Sequence, residues 1–127
     1  ARYAQTAEFD PASFIEADWA ALAGIWAPLG QDAYAAGQAG KDGEIDDDVA
    51  YAAPWGFELA SVAAPVLLAH GGADRVVPPA HADWMLRRLP HAELWLRPRD
   101  GHVSILDVCP LAMDWLLFHC GLSSQHS

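Results

Sequence analysis

The sequence predicts an α/β fold with a parallel sheet, and three observations carry that prediction. Two short apolar runs, Val66-Leu67-Leu68-Ala69 and Leu94-Trp95-Leu96, are each followed by a glycine-containing polar loop and then a helical pattern. Strand, loop, helix, strand, loop, helix is the βαβα order of parallel sheets. The first run is continuously apolar, as strands covered on both faces are. Residues 1–50, by contrast, show mainly helical spacing, so the chain divides into a helical segment (1–50) and a sheet-bearing segment (51–127).

The elements follow in order. Asp10 before Pro11 is a helix start, a short polar cap followed by a ring that pre-sets the first helical φ. Ile15, Trp19, Leu22 and Trp26 then recur at helical spacing, and Pro28 is expected to end that helix. The Ala-rich residues 31–39 predict a second helix, and Gly40, Lys41, Asp42, Gly43 and Glu44 predict a loop. After the acidic run Asp46, Asp47, Asp48, the first strand starts at Pro65. Pro78 and Pro79 open a helix through Trp84, Met85, Leu86 and Leu89, which Pro90 stops. The second strand, Leu94 to Leu96, leads through a loop at 98–101 to a last helix from about Pro110 to His119, closed by Gly121.

Bulk properties narrow the function. Seven Lys and Arg against seventeen Asp and Glu give a net charge of -10, which repels nucleic-acid phosphates and the anionic face of a membrane. No apolar run approaches the roughly 20 residues that span a bilayer, and the first ten residues lack the basic-then-apolar pattern of a secretory signal. Cys109 and Cys120 flank the last helix, where a rise of 1.5 Å per residue holds them about 16 Å apart, too far for a disulfide. Two unpaired thiols suit a reducing cytoplasm.

Two loops carry the chemistry, because each follows the C-terminal end of a parallel strand, where such sheets place ligand and catalytic groups. The first reads His70-Gly71-Gly72-Ala73-Asp74-Arg75-Val76-Val77-Pro78, the second Arg99-Asp100-Gly101-His102-Val103-Ser104. An apolar strand, H-G-x-x-D-x-x-V-P, a helix, a second strand and a Gly-His pair resemble the final βαβα of the α/β-hydrolase family. The resemblance is most specific from Pro65 to Leu106, and residues 1–50 resemble the helical cap or lid that many members insert before this strand. It implies the C-terminal portion of a serine-type hydrolase, with Asp74 as the triad acid and His102 as the base. Such chemistry places an Asp and a His on neighbouring loops. One ring nitrogen takes the nucleophile's proton while the Asp holds the other, fixing the tautomer and stabilising the imidazolium.

The family's nucleophile elbow, G-x-S-x-G, does not occur: Ser13, Ser61, Ser104, Ser123, Ser124 and Ser127 are the serines, and none lies between a strand and a helix with flanking glycines. The expected partners are therefore a small apolar ester, amide or related substrate and a nucleophile-bearing N-terminal half. No cofactor and no metal are expected. Two strands do not make a stable sheet alone, so a truncated scaffold working as a binding or assembly module, paired to the missing half or domain-swapped with a second copy, is the competing reading.

Plainer roles compete at each position. An Asp in a glycine-rich loop is ordinarily a turn residue that bonds its own backbone; the Gly-His pair 28 residues on, past a helix and a strand, favours the acid. His70 is expected to bond its loop, His81 and His91 to sit on the surface, and His119 and His126 at the chain end; none has metal-ligand spacing. Arg75 is expected to pair with a loop carboxylate and Asp100 to tighten its own turn. Exposed acidic runs such as Asp46, Asp47, Asp48 are usually solvated. Trp19, Trp26, Tyr34 and Trp55 suit either a substrate pocket under a cap or core packing.

Overall fold

The computed structural model describes residues 9–121. Asp10 accepts the N–H of Ala12 at 2.9 Å, but the turn it starts is a single 3-10 turn, Pro11–Ser13, and not the expected helix. Helix α1 begins later, at Glu16–Ala23, where the Asp18 side chain reaches back to the N–H of Ile15 at 3.2 Å. This is the reach-back half of a capping box. Pro28 does not end a helix. It occupies the first turn of α2 (Ala27–Ala39), where the missing N–H has no intrahelical partner to lose.

The loop expected over 40–44 shrinks to its first two residues. Gly40, with φ 130°, closes α2, and α3 (Asp42–Ala52) follows at once, carrying the whole acidic run. Asp42 and Glu44 in its first turn favour the positive end of the helix dipole. Gly43, the second residue of the helix, sits in its first turn and does not break the element.

Strands β1 (Val66–Gly71) and β2 (Ala92–Arg97) pair in parallel, in register from Val66↔Ala92 to Gly71↔Arg97. Helix α4 (Ala80–Leu86) crosses between them and starts just after Pro79, but it ends well before Pro90. A 3-10 turn (Ser104–Val108), unforeseen in the sequence, leads into α5 (Cys109–His119), and Gly121 beyond it takes φ 68°. The fold is thus helices plus a small parallel two-stranded sheet.

The buried apolar residues are Ala82, Leu89, Val103 and Val108, which lie around the packing of α4 and the 3-10 turn against the sheet. The continuous apolar run did not produce a strand covered on both faces. Ala69 is exposed and Leu96 is 48% exposed, because among the described residues the two strands pair only with each other. Along α5, Leu111, Met113, Leu116, Leu117 and Phe118 are also exposed. Cys109 and Cys120 are free thiols at opposite ends of that helix. Among the described residues no helix is long and apolar enough to cross a membrane.

Candidate active site

The register of β1 and β2 ends both strands side by side, at Gly71 and Arg97, so the two loops leave from the same sheet edge. They are then laced together by backbone. Gly72 N–H donates to Arg97 O at 2.8 Å and Ala73 N–H to Asp100 O at 2.9 Å. A side chain on Gly71 would not fit, since a Cβ there would come within 2.5 Å of Gly101 O. Glycine at this position lets the loops touch.

Asp74 uses both carboxylate oxygens. Its Oδ1 accepts the N–H groups of Val76 and Val77, each at 2.8 Å, which folds the loop around it. Its Oδ2 lies 3.0 Å from His102 Nδ1. The turn role and the pairing with His102 therefore coexist in one side chain. Asp74 is buried, its side chain 5% exposed, whereas that of His102 is 41% exposed. With the carboxylate as acceptor, Nδ1 is the donor of this contact, and in a neutral ring the lone pair then belongs to Nε2. The Phe14 ring stacks beside the imidazole, centroids 6.3 Å apart, and Phe14 in turn packs edge-to-face with Phe9 and Trp19.

The other candidates disperse. His70 Nε2 donates to Val77 O at 2.9 Å and stands 3.7 Å from Asp74 Oδ2, bracing the loop that carries Asp74. Arg75 does not pair with a loop carboxylate; it donates to Ala12 O at 3.3 Å, tying the loop to the first 3-10 turn. Asp100 Oδ2 lies 3.1 Å from Arg97 Nε within its own turn, an ion-pair contact that makes no hydrogen bond. His81 and His91 are exposed, and His119 stacks on Trp115 at 3.9 Å. His126, Ser123, Ser124 and Ser127 lie outside the described residues. Among the described residues no group of three or more His, Cys, Asp and Glu is placed to hold a metal ion. Nor do the four aromatics converge on one pocket: Trp26 donates to Asp107 Oδ1 at 2.9 Å, Tyr34 is 72% exposed, and Trp55 stacks on Phe57.

One residue of the site was not singled out from the sequence. Asp18, on α1, is fully buried, and its carboxylate accepts four backbone N–H groups. Oδ1 takes those of Val103 and Ser104 at 2.9 Å; Oδ2 takes those of His102 and Ile15 at 3.2 Å. Burial by itself raises a carboxyl pKa, but here the N–H groups of Ser104, Val103, Ile15 and His102 together outweigh it and hold Asp18 below its ordinary value. A signal existed: Ile15, Asp18 and Leu22 are spaced three and four apart, so Asp18 is a carboxylate on the apolar face of its helix.

Comparison with known proteins gives a partial match. Over 49 residues, 39% of this chain, the sequence is 49% identical to pimeloyl-[acyl-carrier protein] methyl ester esterase of Nitrosomonas europaea. That relative is an esterase. The match spans 19% of its length, so about a fifth of the relative is represented here. No protein-family model matches the chain, and no solved structure does.

Proposed function

We propose that the chain is the C-terminal portion of a serine-type α/β-hydrolase, esterase-like, supplying Asp74 as acid and His102 as base to a nucleophile that lies outside these residues. The observation that carries this reading is the 3.0 Å contact between His102 Nδ1 and the buried Asp74 Oδ2, made between two loops at the ends of paired parallel strands. The likeness to an esterase adds the reaction class. In this reading residues 1–50 are a cap and 51–127 belong to the catalytic core, and a cytoplasmic setting suits the two free thiols.

The chemistry is acyl transfer. His102 Nε2 removes the hydroxyl proton as the nucleophile's oxygen attacks the ester carbonyl, and the imidazolium then donates it to the leaving alkoxide. Water attacks the acyl intermediate with its proton going to Nε2, and the bond between the acyl carbon and the nucleophile's oxygen then breaks as the imidazolium returns that proton to the oxygen, releasing the acid. Throughout, Asp74 Oδ2 keeps the Nδ1 proton in place and balances the charge on the ring. Substrate is a small apolar ester, amide or related compound; no cofactor takes part. In the full-length protein, His102→Ala is expected to abolish hydrolysis of short acyl esters, and Asp74→Asn to lower kcat by about 10⁴ through the wrong tautomer. Near wild-type turnover in His102→Ala would refute the assignment.

The exposed faces of β1, β2 and α5 favour a second component of the reading, that this surface is covered by further strands and helices or by a second copy of the chain. Were the scaffold instead a binding or assembly module, the 127-residue chain would self-associate and a nucleophile-bearing segment would restore no hydrolysis. Sedimentation of the chain, alone and mixed with such a segment, followed by an ester assay, separates the two.

A further inference from the structure

Four consecutive backbone N–H groups around the base have their hydrogen bonds supplied by side chains. Gly101 N–H donates to Ser104 Oγ at 2.8 Å, His102 N–H to Asp18 Oδ2, and Val103 and Ser104 N–H both to Asp18 Oδ1. The segment that carries His102 is therefore shaped by one carboxylate from α1, more than 80 residues away in sequence. Fixing the peptide planes on both sides of the His102 Cα leaves only the side-chain torsions to aim the ring, and Asp74 and Phe14 bear on those. Gly101 is fitted to the same feature, since a Cβ there would collide with the Asp18 carboxylate.

We propose that Asp18 is a positioning residue for the general base, holding the backbone of residues 101–104 so that the His102 ring meets Asp74 and faces the reacting atoms. The proposal rests on the hydrolase reading above. A buried carboxylate that served stability alone would leave the turnover of the folded enzyme unchanged when replaced; a positioning residue would not. A misplacement of the base by about 1 Å costs on the order of 100-fold in rate.

The test uses the full-length protein with a short acyl ester and the variants Asp18→Asn, Asp18→Ala and His102→Ala, with folding checked by cooperative unfolding. For the Asp18 variants kcat is expected to fall by about 10- to 100-fold with KM little changed. The downfield Nδ1 proton signal of His102 should broaden or vanish in parallel. If His102→Ala retains activity, the hydrolase reading itself fails. If His102→Ala is inactive while Asp18→Asn keeps wild-type kcat and the Nδ1 signal, the positioning role alone is overturned. Should neither Asp18 variant fold, Gly101→Ala, which crowds the same carboxylate, decides: a fall in kcat with a weakened Nδ1 signal upholds the proposal, and wild-type kcat with an unchanged signal refutes it.

Discussion

Replacing Asp18 by Asn has a stability consequence that can be worked out bond by bond. Asn keeps one oxygen for Val103 and Ser104 but turns an NH2 group toward the N–H groups of His102 and Ile15, both now 3.2 Å from Oδ2. Hydrogen bonds to a charged acceptor contribute about 1.5–3 kcal/mol each, and at 3.2 Å the two lost bonds belong at the lower end. The two retained bonds lose their charge assistance, which is about half their strength. The sum is about 4.5–6 kcal/mol, a large share of the 5–15 kcal/mol that typically holds a domain together. Urea unfolding reads it directly: with a slope of about 2 kcal/mol per molar, the midpoint should fall by about 2–3 M with the slope unchanged. A fall of less than about 0.5 M would refute the bond-by-bond reasoning. The pH dependence has a definite sign. Because Asp18 titrates below its ordinary 3.8 in the folded protein, its contribution is complete above 3.8 and is lost as the pH falls through the depressed folded value. The gap between wild type and Asp18→Asn should therefore stay constant from neutral pH down to about 5 and close only in stronger acid.

Two other perturbations follow from the same geometry. Gly101→Ala drives a methyl group into the Asp18 carboxylate and should destabilise by about 1–3 kcal/mol, the range of overpacking, while lowering ester turnover; unfolding midpoints and kcat check both. Glu93 accepts the indole N–H groups of Trp115 and Trp95, each at 2.9 Å, which hold its carboxyl below the ordinary 4.5, so this link is intact above 4.5 and lost as the pH falls through the lowered value. The Nε1 proton resonances of both tryptophans should shift together in that acid range in the wild type and stay fixed in Glu93→Gln.

Much of the site was legible in the one-dimensional pattern. The helix at Ala80–Leu86, both strands and the last helix were each marked by local composition, and the loops holding Asp74 and His102 were located by following those strands to their ends. Local signals misled where one residue has two meanings. Pro28 reads equally as a stop or a first-turn residue, and Gly40 and Gly43 suggested a single loop where only Gly40 lies outside a helix.

By itself, then, the sequence determined the two strands, the helices that follow them and which Asp and His stand at the strand ends, because periodicity and turn chemistry act over a few residues. Only the tertiary structure decided what those groups touch. The 3.0 Å approach of Asp74 to His102 depends on strand register and on two glycine-lined loops closing against each other. The burial of Asp18 beneath residues 101–104 depends on a helix from the opposite end of the chain arriving with its carboxylate facing inward. Contacts between residues so far apart are fixed by packing and by the need to satisfy every buried N–H, and neither constraint is written in local sequence.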